Sequence, residues 1–109
     1  MIVFILRVQL RKEDTNHVVR SVVPMLAPTR VQPGCVSCRL YRDLDDPNAL
    51  MLIEEWTCRE DLDHHLRSDD YRPVLEAIES SEREPQLCFD TVSKREGIEV
   101  VQQARGIER

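Results

Sequence analysis

The chain predicts an α+β fold: one four-stranded antiparallel sheet wound as a split β-α-β unit, with its helices on one face. Three observations predict it. Four segments, near 1–10, 35–42, 49–56 and 87–92, read as strands. Apolar residues at helical spacing fill the intervals after the first and the third. The second and third strands are separated only by Asp45-Asp46-Pro47-Asn48, a turn sequence that makes them a hairpin.

Each element follows from local chemistry. Met1 to Leu10 places Ile2, Phe4, Leu6, Val8 and Leu10 on one face and Val3 and Ile5 on the other. Asp14 is the expected cap of a helix whose stripe is Val18, Val19, Val22, Val23 and Leu26. Pro24 is expected to kink or end it, with Pro28 and Pro33 preventing its resumption before Gly34. Cys35–Arg42 and Ala49–Trp56 form the hairpin strands. Thr57 and Glu60 have capping-box spacing for a short helix ending near Arg67. Asp70 caps the last helix, Tyr71 to Glu82, with Pro73 in its first turn, where a missing N–H costs little. Leu87, Phe89 and Thr91 alternate with Cys88, Asp90 and Val92 as the fourth strand. Residues 1–95 therefore read as one domain, and 96–109 as a tail or short helix.

Helices can cover only one side of this sheet. Ile2, Phe4 and Leu6 oppose Val3 and Ile5, and Leu50 and Leu52 oppose Met51 and Ile53, so both sides are apolar. In so short a chain the expected second cover is the sheet of another copy, a homodimer.

The composition, 41% hydrophobic and 32% charged, is that of a globular protein. With net charge −5 and fifteen scattered basic residues, no phosphate-neutralising patch forms, so nucleic acid is not the expected partner. The apolar start is interrupted at Arg7, too early for a signal peptide or a membrane span, and a cytoplasmic location is expected. Cys35 and Cys38 form C-x-x-C. In a regular strand, however, residues three apart face opposite sides, and Cys58 and Cys88 are lone, so small apolar thiols are expected rather than a redox or metal site. With three glycines and no G-x-G-x-x-G or P-loop, nucleotide cofactors lack their usual cradle, and no H-x-x-x-H or H-x-H metal pair is present. No cofactor and no metal are expected.

Candidate site residues gather where the third strand meets the helices. Leu62, His65 and Leu66 share one helical face, which turns His65 inward and His64 outward. His65 is either a hydrogen-bond partner or base in a pocket, or a buried imidazole bonded to a carbonyl. Trp56 lies on the strand face of Leu50 and Leu52, as core residue, as aromatic wall, or as both. Tyr41, with Arg39, Arg7 and Tyr71, offers polar anchors that serve equally well at a strand end or dimer rim. Glu54 lies on the Trp56 face and Glu55 on the other, and one of them is expected to pair with an arginine across the dimer.

The segment PGCVSCRLYRDLDDPNALMLIEEWTCREDLDHHLRSDDYRPVL, Pro33 to Leu75, orders these parts as strand, polar turn, strand ending in Glu-Glu-Trp, and two short helices, the first with a His-His pair. Opened by PGC and closed at the hairpin by EEW, it resembles the antibiotic-biosynthesis-monooxygenase family. Its members are dimeric α+β barrels with a ferredoxin-like split β-α-β, and include quinol and anthrone monooxygenases. The resemblance implies a cofactor-independent monooxygenase acting on a quinol-like or polycyclic phenolic molecule. His65 would assist the proton, and Trp56, Tyr41 and Leu62 would shape a pocket for a small aromatic molecule. The alternative is a non-catalytic dimeric module binding such a molecule. Haem-degrading enzymes share the barrel and carry an axial histidine on the last helix. Here that helix has no histidine and the first strand no asparagine, which argues against haem.

Overall fold

Antiparallel pairing turns the alternation of the sequence into two distinct faces. In the computed structural model, which describes residues 1–107, β1 (Ile2–Gln9) leads into α1 (Lys12–Arg30), β2 (Cys35–Arg42) and β3 (Ala49–Trp56). They are followed by α2 (Arg59–Arg67), one 3-10 turn (Asp69–Tyr71), α3 (Arg72–Glu79), β4 (Gln86–Thr91) and α4 (Ile98–Arg105). The sheet order is β2-β3-β1-β4 with every pair antiparallel, the ferredoxin-like arrangement expected. Positions 108 and 109 of the expected tail lie outside the described residues.

One face of the sheet carries the core. Phe4, Leu6 and Val8 of β1 and Leu50, Leu52 and Trp56 of β3 are buried against α1, α2 and α3. On the other face Val3, Ile5, Met51 and Ile53 remain half-buried. Register arranges the charges of that outer face in rows. Glu55, Val3 and Asp90 lie abreast at one end, and Tyr41, Met51, Arg7 and Gln86 at the other. On β4 the helix-side Leu87 and Phe89 stay largely exposed, although the Phe89 ring stacks on Phe4 at 4.6 Å. Every residue of α4 is at least partly exposed, and Ile98, Val100 and Val101 face solvent. Among the described residues no helix is long and apolar enough to cross a membrane.

Several local expectations are corrected. Helix α1 begins after Arg11 rather than at Asp14 and runs unbroken through Pro24 and Pro28 to Arg30. Both prolines are exposed, and the opposite face buries Thr15, Val18, Val22, Met25, Leu26 and Thr29, so tertiary burial outweighs the lost backbone bonds. The capping box does not form: α2 is capped at Cys58, without a side-chain bond to its backbone, and Asp70 lies inside the 3-10 turn rather than capping α3. Helix α3 stops at Glu79, not Glu82. There the chain turns extended, and Leu10 bridges Ser81 while Glu82 N donates to Gln9 O at 2.6 Å.

The consequential correction is in β2. A bulge between Cys35 and Ser37 leaves Val36 unpaired, so Cys35 lies opposite Trp56 and Cys38 opposite Glu54. Both cysteines therefore face the helices, where regular alternation puts them on opposite sides. All four cysteines are free thiols.

Candidate functional site

The inner face of β3 ends in a polar residue between two apolar ones. Leu52, Glu54 and Trp56 follow one another on that face, all buried. Helix α2 lies over them and delivers Leu62 and His65 one turn apart, while His64 points to solvent. Glu54, Trp56, Leu62 and His65 are each 0% exposed. The Trp56 indole stacks on the His65 imidazole at 4.9 Å with a 27° tilt, and Tyr71 meets the same imidazole edge-on at 5.4 Å.

A hydrogen-bond network ties these rings to one carboxylate. Trp56 Nε1 donates to Glu54 Oε1 at 2.9 Å. His65 Nε2 stands 3.3 Å from that same oxygen, but too far off axis to make a hydrogen bond. Glu54 Oε2 is buried without a partner among the described residues. On the other side of the ring, His65 Nδ1 lies 3.1 Å from Gln32 Oε1. The Gln32 amide is oriented by its own Nε2, which donates to Asp70 Oδ2 at 3.4 Å, so Nδ1 is the donor in that contact. The carbonyl of His65 accepts from both the backbone N–H and the hydroxyl of Ser68, at 3.0 and 2.7 Å, which ends α2 at Arg67.

The loop that carries Gln32 is fastened from both sides. Gly34 has a positive φ of 84°, and its α-carbon lies so close to the Asp61 side chain that a Cβ would collide with it. Gly34 O also accepts from Thr57 N at 2.8 Å, joining the loop to the start of α2.

Glu54 sets the electrostatics of the cluster. Burial, and next the Glu54 charge, push the Cys38 thiol up to about 12. Tyr71 is raised by the same two causes in the same order, and Cys35 is raised by burial and then by Glu54. Cys38, Tyr71 and Cys35 thus hold their protons. Glu55, on the outer face, pairs with Arg95 of its own chain at 2.6 Å and accepts from Ser37 Oγ at 2.6 Å. The Ser37 bond and then Arg95 lower its pKa.

Of the residues singled out by sequence, the structure brings together His65, Trp56 and Leu62. Tyr41 stands apart on the outer face, where, with Arg7, Met51, Arg83 and Gln86, it lines a hollow of about 460 Å³ at the end of the sheet. Under the helices, beside the cluster, the apolar void lined by Leu6, Val18, Leu40, Leu52 and Val74 is about 10 Å³, room for at most a single water. Sequence reasoning missed the roles of Glu54 and Gln32. Glu54 did leave a signal, an acid in register with Leu50, Leu52 and Trp56 on a buried strand face. Gln32 left none, because its contact spans thirty-three positions.

Comparison with known proteins agrees with this architecture. Residues 1–77 match the family described as antibiotic biosynthesis monooxygenase. A crystal structure of an antibiotic biosynthesis monooxygenase superposes with TM-score 0.77 at 23% identity, covering 86% of this chain and 100% of that one. Rv0793 from Mycobacterium tuberculosis gives TM-score 0.78 at 25% identity over 88% and 98% of the two chains. A conserved protein from Methanosarcina mazei gives 0.74 at 23% identity over 82% and 89%. An uncharacterised Synechocystis protein is 31% identical over 51 residues, 47% of this chain; the match spans 35% of that protein's length. With the family matched across β1 to α3 and the same fold found in these structures, the chain belongs to the antibiotic biosynthesis monooxygenase family.

Proposed function

We propose that this protein is a cofactor-independent monooxygenase of quinol-like or polycyclic phenolic molecules, acting as a homodimer. The observation that carries this reading is the fully buried His65–Glu54 pair, with one carboxylate oxygen left without a partner beside an indole wall. A buried acceptor with no donor is costly to keep in a purely structural core. Set beside His65, it suits a group that stabilises positive charge on the imidazole.

In this reading His65 takes the phenolic proton, and Glu54 stabilises the imidazolium that results. The electron-rich phenolate then passes electrons to dioxygen directly. For a simple quinol, one oxygen atom enters at a ring C–H and the other leaves as water. All four electrons come from the substrate, which ends as a hydroxyquinone. Trp56 and Leu62 hold the flat ring and exclude water. Tyr41 lies across the sheet, so its part is at the outer hollow and not against His65.

The outer face supports the dimer. Its acidic end (Glu55, Asp90) and its basic end (Arg7) are antiparallel-complementary, so a two-fold stack of sheets sets Arg7 over the partner's acidic row and covers Val3, Ile5, Met51 and Ile53. In this arrangement residues 1–95 are the folded unit and 96–109 an arm toward the partner. The free thiols suit a reducing cytoplasm.

A second reading, a non-catalytic module of the same fold, is favoured by the complete burial of His65, Trp56 and Leu62. Oxygen uptake decides between them. Purified protein is mixed with a panel of quinols and anthrone-type phenols, alongside His65→Ala. Uptake above the uncatalysed rate that falls by roughly a hundredfold or more in His65→Ala is the expected result, the usual contribution of a positioned base. No uptake across the panel sinks the enzymatic reading and leaves the binding module.

A further inference from the structure

We infer that Gln32 is a latch on His65: its carboxamide occupies the place of the ligand's oxygen at Nδ1 and holds the imidazole in a form that cannot accept a proton there. The inference deepens the reading of His65 as the base, and rests on it for its functional meaning. Its physical basis is the hydrogen-bond geometry alone.

Of the two ring nitrogens, Nε2 is turned into the core toward Glu54 Oε1, and only Nδ1 points toward the loop that joins α1 to β2. A substrate hydroxyl must therefore meet Nδ1. That position is taken. Gln32 Oε1 accepts only, so the 3.1 Å contact requires a hydrogen on Nδ1, whether or not Nε2 also carries one. In both cases Nδ1 has no free lone pair. The unpartnered state of Nε2, off axis from Glu54, completes the picture of a ring oriented for Gln32 and not for the carboxylate.

The latch is light. Apart from His65, the Gln32 side chain is held by one exposed contact at 3.4 Å to Asp70, and the residue is itself half-exposed. Swinging it out breaks two hydrogen bonds while Gly34, fixed against Asp61 and Thr57, keeps the backbone in place. With Gln32 gone, water in its place takes the hydrogen from Nδ1 and returns one to Nε2, so the neutral ring keeps a single hydrogen, now facing Glu54 Oε1 at 3.3 Å. Nδ1 then has a lone pair facing the opening. An arriving phenol transfers its O–H proton to that nitrogen, and Glu54 sits beside the imidazolium formed. A ligand with an oxygen on a flat ring is favoured because it replaces the amide oxygen at Nδ1. Gln32 is thus a positioning residue that couples entry to activation.

The test needs no turnover. Ring nitrogen shifts of His65 are read by two-bond proton–nitrogen correlation in the wild type, Gln32→Ala and Gln32→Glu. Carbethoxylation by diethyl pyrocarbonate is followed at His17, His64 and His65 by mass spectrometry. Expected in the wild type are a protonated Nδ1 and modification of His65 about tenfold or more slower than of exposed His64, the factor that breaking one or two hydrogen bonds to open the site imposes. Gln32→Ala should bare Nδ1, with the hydrogen on Nε2, and bring His65 close to the His64 rate. Gln32→Glu keeps an acceptor for Nδ1 but loses the donor to Asp70, so it should return the hydrogen to Nδ1 and slow His65 relative to Gln32→Ala. A wild-type Nδ1 without hydrogen overturns the inference, and this spectrum decides alone should Gln32→Ala not fold. His65 equally slow in a folded Gln32→Ala also overturns it. Absence of oxygen uptake with these signatures present removes the monooxygenase reading but leaves the latch.

Discussion

Glu54 and His65 form a buried pair whose energetics can be separated by a double-mutant cycle with leucine, a side chain of comparable reach and no polar atom. Both partners are 0% exposed and their nearest atoms are 3.3 Å apart. Glu54→Leu removes the acceptor of the Trp56 indole N–H but leaves His65 held through Nδ1 by Gln32, and should cost about 1–3 kcal/mol. His65→Leu strands a buried carboxylate and should cost about 3–5 kcal/mol. In the double variant the carboxylate is gone, half-exposed Gln32 turns to water, and the indole N–H is again unpaired, so the cost returns to about 1–3 kcal/mol. The indole term is common to Glu54→Leu and the double, so the coupling is about 3–5 kcal/mol, well beyond the roughly 0.5 kcal/mol within which independent sites add. At about 4 °C per kcal/mol for a domain of this size, His65→Leu melts roughly 12–20 °C lower and the double regains most of that. The assay is urea unfolding by far-UV circular dichroism at one fixed protein concentration, since dimerisation shifts apparent stability. Additive losses would refute the claim that Glu54 and His65 form an energetic pair, and with it the proton-handling proposed for them.

Three further outcomes are expected. Ile53→Lys places a charge in the middle of the outer face and should dissociate or unfold the proposed dimer, because covering a few hundred Å² of apolar surface there contributes several kcal/mol at about 25 cal/mol per Å². Sedimentation of the wild type as a monomer at micromolar concentration, with normal melting, would show that no second copy covers that face. Cys58 should react at once with a thiol reagent, while Cys38 waits for unfolding. Because the Cys38 thiol is raised from 9.0 to about 12 in the fold, its contribution to stability is full below about pH 9 and is lost as pH rises toward 12, where the unfolded chain has already released its proton. Cys38→Ala should flatten part of the alkaline fall in melting temperature, and an unchanged slope would place its cause elsewhere.

Much of this architecture was legible because it is local. Alternation in β1 and β3 names the faces, since neighbouring side chains on a strand must point opposite ways. Helical spacing turns His65 in and His64 out for the same kind of reason. Two-sided apolarity in β1 and β3 needs no structure to be seen. What the sequence hid was decided by packing between distant segments. Pro24 and Pro28 read as breaks, yet α1 continues through them because its buried face has a sheet to lie on. C-x-x-C read as divergent, yet one unpaired residue, Val36, in the bulge brings both thiols to the inner face. Glu54 read as one more acid near a strand end. Only the docking of α2 on β3 sets His65 Nε2 3.3 Å from it, and only the close fit of Gly34 on Asp61 holds the loop from which Gln32 reaches Nδ1. Such contacts depend on the distance and angle between elements far apart in the chain, quantities that no local spacing encodes.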